Sequence, residues 1–255
     1  MATIPSAPPA AMQRTPEPEL MDDPAQARAY ADADFHLTDE AMVERIAARF
    51  GADLARRPAP WIVDLGCGPG NITFLLSERF PTATVIGVDG AAAMLAIAAE
   101  RLAARPELVA RLRFVRAHLP LDEPSIARLG LPADGADLVV SNSLLHHLHH
   151  PAALWSAVER LGGSDAGVFV QDLRRPADAA AVDALVAEHM AGAPAVLRHD
   201  FHASLHAAFS PAEVAHQLRA AGLAPALQVA PWGERHLQVA GRLRSSAACG
   251  RRRTG

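Results

Sequence analysis

The chain has 255 residues, of which 50% are hydrophobic, and a formal net charge of -4. That length and composition allow one well-buried core, and the mild acidity argues against nucleic acid as a partner. With two cysteines, Cys67 and Cys249, no secretory signal and no run near the ~20 apolar residues of a membrane span, we expect a cytoplasmic protein.

Both ends of the chain lack hydrophobic periodicity, which predicts one domain with two tails. Residues 1–17, rich in Ala and Pro, and residues 245–255 are predicted to be disordered. The single domain then spans 18–244, and residues 18–51 are expected to form helices that cap the site.

One of these capping helices has clear sequence signals. Thr38 is suited to begin a helix over Asp39–Phe50, and Gly51 to end it. Four apolar side chains fall on one face of this helix, namely Met42, Val43, Ile46 and Phe50.

Short apolar runs then alternate with helical stretches. The runs, which we predict to be buried strands, are residues 61–65, 84–88, 112–115, 136–140 and 168–170. The predicted helices between them are residues 71–80, 91–102 and 151–161. This alternation is typical of right-handed βαβ units in a doubly wound α/β sheet.

The last third of the chain has a different pattern. Residues 176–190 are predicted to be helical and residues 191–209 irregular, and Ser210 to Glu213 form a capping box that opens a further helix. Two β-like runs follow, at 226–230 and 236–240, close enough for a hairpin. We therefore expect a parallel sheet finished by an antiparallel hairpin.

A glycine-rich loop joins the first strand to its helix. Residues 64–70 read DLGCGPG, and such glycines let the backbone turn sharply and approach a ligand. Asp89, at the end of the second strand, can accept hydrogen bonds from the ribose of an adenosine cofactor. The third glycine is Gly70 and position 71 is Asn, a spacing that argues against a dinucleotide. The competing interpretation is a tight turn without a ligand.

Three motifs together resemble the small-molecule branch of the class I S-adenosylmethionine-dependent methyltransferases. They are residues 62–71 (IVDLGCGPGN), 85–89 (VIGVD) and 137–147 (DLVVSNSLLHH). The resemblance extends over about residues 38–175. It implies a Rossmann-like, seven-stranded sheet with a reversed last strand, S-adenosylmethionine as cofactor, and methyl transfer to a small molecule rather than to nucleic acid or at a membrane.

The resemblance also implies cofactor-binding roles for residues of the loop and the strand ends. These are Asp64, Gly66, Cys67, Gly68, Asp89, Gly90, Met94, His118, Leu119, Ser141 and Asn142. Asp64 would order the loop, Asp89 would hold the ribose, and Ser141 would lie beside the sulfonium. His118 departs from the Asp that family members often carry after the third strand. A neutral imidazole can accept the adenine hydrogen bond in one tautomer only.

Four residues at the carboxyl ends of strands four and five are candidates for the chemistry, because ligands of open α/β sheets bind there. They are His146, His147, Asp172 and Arg174. His147 is suited to act as a base near neutral pH. For each histidine taken singly, a packed or hydrogen-bonded structural role is the favoured interpretation. Asp172 and Arg174 are expected either to bind a charged acceptor or to pair with each other.

The segments around the sheet supply candidates for the acceptor site. Tyr30 and Phe35 are predicted either to form a lid that excludes water or to pack the N-terminal segment onto the sheet, and Arg198 lies in an acceptor-side insertion over 176–210. The histidine cluster at 146–150 contains no Cys or carboxylate, so we expect no metal site there.

Other functions compete with methyl transfer. The same cofactor serves enzymes that make carboxy-S-adenosylmethionine, for which Arg174 would be the carboxylate-binding candidate, and modules that bind it without turnover. Base methylation is disfavoured because residues 141–144 read SNSL where an Asn-Pro-Pro-Tyr motif would stand. Arsenite methylation is disfavoured by the low cysteine count, and a nicotinamide dehydrogenase by the glycine spacing.

Overall fold

A computed structural model describes residues 12–243 of the chain. Its centre is one seven-stranded sheet with the order β3-β2-β1-β4-β5-β7-β6. The strands are β1 (Trp61–Leu65), β2 (Thr84–Asp89), β3 (Leu112–Arg116), β4 (Ala136–Asn142), β5 (Gly162–Leu173), β6 (Leu227–Trp232) and β7 (His236–Arg242). β1 to β5 run parallel, whereas β7 is antiparallel to both β5 and β6. The predicted doubly wound sheet with a C-terminal hairpin is confirmed.

Nine α-helices of the described residues surround this sheet. They are α1 (Pro24–Ala31), α2 (His36–Leu54), α3 (Asn71–Arg79), α4 (Ala92–Ala103), α5 (Glu123–Leu129), α6 (Ala152–Leu161), α7 (Ala179–His189), α8 (Ala195–Ala207) and α9 (Pro211–Ala220). None of the helices described is long and apolar enough to cross a membrane.

The alternating side chains of the strands build a core on each face of the sheet. On one face, Val63 and Leu65 of β1 pack in a cluster with α6 and α9. On the other face, Ile62 packs with side chains of α2 and α3. The strands are therefore apolar on both sides, which explains their nearly continuous hydrophobic runs.

The structure corrects three predictions about helices. α2 begins at His36 rather than after Thr38, and it continues through Gly51 to Leu54. Leu54 is buried against the second core, and this burial offsets the cost of about 1 kcal/mol for a glycine inside a helix. Residues 195–207, predicted to be irregular, form α8, and α5 was not predicted at all.

The N-terminal segment 12–22 lies as an extended strap across the carboxyl edge of the sheet. Its residues up to 17 belong to the predicted disordered tail, yet Arg14 donates to the backbone oxygens of Ala207 at 2.5 Å, His146 at 2.7 Å and Leu148 at 3.1 Å. Polar bonds of this kind leave no periodic signal in the sequence. Residues 1–11 and the predicted tail at 245–255 lie outside the described residues.

The capping box predicted at Ser210 is confirmed. Its side chain accepts from the backbone N–H of Glu213, and the Glu213 carboxylate accepts from the N–H of Ser210 at 2.7 Å.

We expect Ser210→Ala to lower the free energy of unfolding by about 1 kcal/mol, because both the cap and its reciprocal bond are weakened. Urea titration followed by circular dichroism measures this change. Ser164→Ala, which removes an exposed hydroxyl, is the control. Equal midpoints for the two variants would contradict the prediction.

Candidate active site

A cavity of about 270 Å³ lies at the carboxyl edge of the sheet, under the N-terminal strap. The ends of β1 and β2 with the glycine loop line one end of it, and the ends of β4 and β5 with α8 line the other. We call these the loop end and the helix end. A crevice at this edge, where the strand order reverses around β1 and β4, is where open α/β sheets bind ligands.

The glycine loop exposes its backbone to the loop end. Gly66, Gly68 and Gly70 all have left-handed backbones, with φ of 71°, 52° and 89°. A Cβ atom on Gly68 would come no closer to a neighbour than 4.0 Å, at the sulfur of Met94, which also lines the cavity. The space that a side chain would take is thus left for a ligand to contact the backbone.

Asp89 fixes the loop and still faces the cavity. One carboxylate oxygen accepts from the N–H of Gly68 at 2.8 Å and the other from the N–H of Ala91 at 2.8 Å. Because each oxygen has two lone pairs, both retain an acceptor site for hydroxyl groups of a ligand. Burial raises the pKa of Asp89, and the bonds from Ala91 and Gly68 oppose that shift.

Asp64 has a buried oxygen with no partner in the described part of the chain. Its Oδ2 accepts from the hydroxyl of Thr73 at 2.6 Å, whereas Oδ1 is buried and unpaired. Burial raises the pKa of Asp64 to about 7 and that of the nearby Asp39 to about 6. A positively charged donor in the cavity would satisfy Asp64 Oδ1 and restore the ionised form.

Most of the predicted cofactor-binding residues come together in this cavity. Those that line it are Asp64, Gly66, Cys67, Gly68, Asp89, Gly90, Met94, His118, Leu119 and Asn142. Ser141 is the exception. Its side chain is buried and donates to the backbone oxygen of Leu65 at 2.9 Å, so it ties β4 to β1 rather than facing the cavity.

His146 and Asp172 form a buried pair at the helix end. His146 Nδ1 lies 2.5 Å from Asp172 Oδ1. Asp172 also accepts from the N–H of Leu145 at 2.6 Å and that of Leu173 at 2.8 Å, which fixes its carboxylate. Burial alone would lower the pKa of His146, but the charge of Asp172, its hydrogen bond and the charge of Glu17 outweigh it and raise that pKa.

Glu17 of the strap lies against both histidines. Its Oε1 is 3.5 Å from His146 Nε2 and 3.3 Å from His147 Nδ1, and it accepts from the Ser204 hydroxyl at 3.0 Å. Burial raises the pKa of Glu17. The pKa of His147 falls to about 3, first because of burial and then because of the neighbouring His146.

The remaining predicted residues fall into two groups. Tyr30 and Phe35 line the cavity with their ring centroids 5.0 Å apart. Arg174 instead donates to the backbone oxygen of Glu234 at 2.6 Å, and Arg198 to that of Ala193 at 2.9 Å. Neither arginine lines the cavity. Arg174 and Asp172 do not pair, because β5 ends at Leu173 and the Arg174 guanidinium reaches the turn between β6 and β7 instead.

The sequence did not single out two polar residues of the helix end. Gln171 accepts from Arg45 and donates to Asn142 Oδ1 at 3.2 Å. Arg235, in the turn between β6 and β7, also lines the cavity. Burial lowers its pKa, the charge of Glu188 opposes that shift, and its guanidinium lies 5.7 Å over the ring of Phe201 without an ion pair to a carboxylate of the described residues. Arg235 is therefore available to an anionic ligand.

Comparisons with known proteins agree with this geometry. Residues 63–166 match a family model described as a methyltransferase domain. A trans-aconitate 2-methyltransferase of Variovorax paradoxus is 64% identical over 52 residues, which are 19% of this chain and 20% of that protein. The one of Streptomyces coelicolor is 37% identical over 155 residues, 58% of this chain and 47% of that protein. The chain thus matches less than half the length of these curated relatives.

A solved structure has the same architecture over nearly the whole chain. A plantazolicin methyltransferase, crystallised with S-adenosylhomocysteine and a substrate analogue, aligns with a TM-score of 0.63 at 12% identity. The alignment covers 87% of this chain and 90% of that one. At this identity the likeness shows the fold alone.

Proposed function

We propose that the chain is a class I S-adenosylmethionine-dependent methyltransferase, as its methyltransferase-domain match and its relatives support, and that it methylates a small molecule carrying a carboxylate. The carboxylate-lined cavity behind an open glycine loop carries the proposal for the cofactor, and Arg235 in the same cavity carries the proposal for the acceptor. The chain matches less than half the length of its curated relatives. The class of acceptor is therefore inferred from the residues that line this cavity.

The loop end fits the cofactor. When bound, S-adenosylmethionine supplies a methyl group on a positively charged sulfur, so its leaving group needs no further activation. We propose that Asp89 accepts from the ribose hydroxyls and that Asp64 Oδ1 receives the ammonium group. The exposed backbone at Gly68 would lie under the methionine part. A cavity lined by Asp39, Asp64 and Asp89 complements a cationic ligand.

The chain's main task would then be to hold the acceptor in line and to exclude water. Tyr30 and Phe35 supply apolar surface over the cavity, and the strap covers its edge through the bonds of Arg14. We propose that these parts close the cavity over both ligands. Such closure also explains why an extended segment is tied down by so many polar bonds.

Arg235 supports an anionic acceptor. Arg235 is partly buried and lines the helix end, and its guanidinium forms no ion pair with a carboxylate of the described residues. A guanidinium binds a carboxylate through two parallel hydrogen bonds. The relatives are named for trans-aconitate, a tricarboxylate, and a related acid would satisfy Arg235 here.

A carboxylate acceptor would not need a general base, because it is already ionised at neutral pH. The role predicted for His146, His147 and Asp172 as catalytic groups stays a prediction. We propose that this cluster positions the acceptor. We give Arg174 and Arg198 no role in the cavity, because their guanidinium groups bind backbone oxygens elsewhere.

We expect Arg235→Gln to raise KM for a carboxylate acceptor at least 30-fold with a smaller effect on kcat, because it removes a charged anchor. Initial rates of S-adenosylhomocysteine release measure both constants. Arg219→Gln, at an exposed site on α9, is the matched control. An unchanged KM in Arg235→Gln would contradict the proposal that Arg235 binds the carboxylate of the acceptor.

The proposed function is tested with a panel of acceptors. Purified protein is incubated with labelled S-adenosylmethionine and with trans-aconitate, other di- and tricarboxylates, their neutral esters, phenols and amines. We expect label transfer to a carboxylate and none to its ester. Transfer only to phenols or amines would overturn the acceptor class. Cofactor binding without transfer to any acceptor would favour a non-catalytic binding module. Conversion of the cofactor to carboxy-S-adenosylmethionine with prephenate would favour that alternative.

A further inference from the structure

Three metal-ligating atoms converge at the wall of the cavity. Glu17, His146 and His147 each offer one ligand atom, and these three atoms lie within 4.8 Å of one another. Glu17 Oε1 is 3.5 Å from His146 Nε2 and 3.3 Å from His147 Nδ1. Ligands at the usual 2.0–2.2 Å from a tetrahedral ion lie ~3.4 Å apart. We propose that Glu17, His146 and His147 bind a divalent transition-metal cation.

The nitrogen of His146 that faces away from the proposed ion, Nδ1, is hydrogen-bonded to a carboxylate, as is common for histidines that bind metals. Because Asp172 is an acceptor, the short contact at Nδ1 puts the proton on that nitrogen and leaves the lone pair of Nε2 facing Glu17. A carboxylate on the remote nitrogen is the common support of a histidine ligand. The two backbone N–H bonds to Asp172 make this support rigid.

His147 provides an independent observation. Its Nδ1 is buried and has no hydrogen-bond partner in the described part of the chain, although Glu17 Oε1 is 3.3 Å away. A proton on His146 Nε2 would satisfy Glu17 but would leave His147 Nδ1 unpaired. A cation satisfies all three atoms at once, so it accounts for the whole cluster.

The arrangement of the two rings is compatible with one ion. Their centroids are 4.2 Å apart. Two imidazoles bound at ~2.1 Å have centroids ~4.5 Å apart at a right angle and ~5.3 Å apart at the tetrahedral angle, so the rings would open by about 1 Å around a tetrahedral ion. Two imidazole nitrogens and one carboxylate oxygen suit Zn²⁺, Fe²⁺, Co²⁺ or Mn²⁺, whereas Mg²⁺ and Ca²⁺ prefer oxygen ligands.

The site would join the strap to the cavity. Glu17 comes from the strap, whereas His146, His147 and the supporting Ser204 line the helix end. The remaining coordination positions of the ion would face this space, where an oxygen of an anionic acceptor can bind. The sequence missed the site because the carboxylate lies about 130 residues before the histidines.

Metal binding is tested without cofactor or acceptor, so its outcome does not depend on the proposed methyl transfer. The full chain is stripped with a chelator and titrated with Zn²⁺ by calorimetry. We expect one equivalent to bind with a micromolar or lower Kd. Glu17→Gln, which keeps the contact to Ser204, and His147→Gln should each weaken binding at least 30-fold. The neighbours Glu19→Gln and His150→Gln should change it less than threefold.

A second measurement does not depend on any variant. We expect Co²⁺ in the wild-type chain to give the intense visible bands of a four- or five-coordinate ion. A spectrum like that of aqueous Co²⁺ would overturn the proposal. So would the absence of saturable Zn²⁺ binding, or binding that Glu17→Gln and His147→Gln leave unchanged.

Discussion

Asp89→Ala should weaken binding of S-adenosylhomocysteine at least 100-fold. The carboxylate has two tasks, because it accepts from the N–H groups of Gly68 and Ala91 at 2.8 Å and offers its free lone pairs to the ligand. Hydrogen bonds to a charged group contribute about 1.5–3 kcal/mol each. Losing both the ligand contact and the loop anchor should therefore cost more binding free energy than the ~2.7 kcal/mol that corresponds to a factor of 100 in Kd.

Calorimetric titration measures this effect, and two variants separate its causes. Asp122→Ala also deletes a carboxylate that accepts from a backbone N–H, that of Ser125 at 2.8 Å, but outside the cavity. It should leave the Kd unchanged. Asp89→Asn retains one acceptor oxygen and should fall between wild type and Asp89→Ala. Wild-type affinity in Asp89→Ala, or binding of NAD by the wild type, would contradict the assignment of the loop end.

The sheet was predictable because its sequence signals are local. Each parallel strand is buried on both faces, so each appears as an apolar run, and the glycine loop and Ser210 provide turn and cap signals at fixed positions. α8 was missed for the opposite reason. Its exposed face carries His199, His202 and His206, and only packing of Leu205 and its neighbours beneath shows that the segment is helical.

The loop end of the site was predictable for the same reason, since its residues follow directly on strands. Asp39 also had a signal. It precedes Met42 and Val43 by three and four residues, which places it on the buried face of α2, where a carboxylate is unexpected. Glu17, by contrast, lies on an extended segment without periodicity. Its proximity to His146 depends on the tertiary path of the strap.

Backbone geometry explains why two residues that were predicted to lie at the site do not face it. Ser141 belongs to a motif that suggested a contact with the cofactor, but its hydroxyl bonds the neighbouring strand. Arg174 is separated from Asp172 by one residue, yet the chain leaves the sheet at Leu173 and Arg174 turns to the β6–β7 turn. Position along the sequence placed both residues near the site, whereas side-chain direction was decided by local backbone geometry.

The affinity for S-adenosylhomocysteine should depend strongly on pH. Burial raises the pKa of Asp64 to about 7 and that of Asp39 to about 6, so the ligand-free protein holds protons on these carboxyls at acidic pH. An ammonium group binds the ionised form of Asp64 and must displace its proton. A single group with a pKa of about 7 then weakens binding roughly 30-fold between pH 8 and pH 5.5.

The raised pKa of Asp64 also determines whether the stability of the ligand-free protein rises or falls with pH. A carboxyl whose pKa is raised by folding contributes stability below its unfolded pKa of about 3.9, and that contribution is lost as the pH rises through about 7. The ligand-free protein should therefore lose stability over this window, and the ligand should raise Tm more at pH 8 than at pH 5.5. Thermal scans with and without S-adenosylhomocysteine measure both effects.

Separate replacement of Asp64 and Asp39 identifies which carboxyl causes the pH dependence of the Kd. Asp64→Asn should bind weakly and with a Kd that varies less than threefold between the two pH values, because the titrating group is gone. Asp39→Asn should retain most of the dependence, since the lower pKa of Asp39 leaves it largely ionised near neutral pH. A wild-type Kd that is equal at pH 5.5 and pH 8 would show that the unpaired oxygen of Asp64 does not receive the cation. The partner of that oxygen would then have to be sought in another group of the ligand.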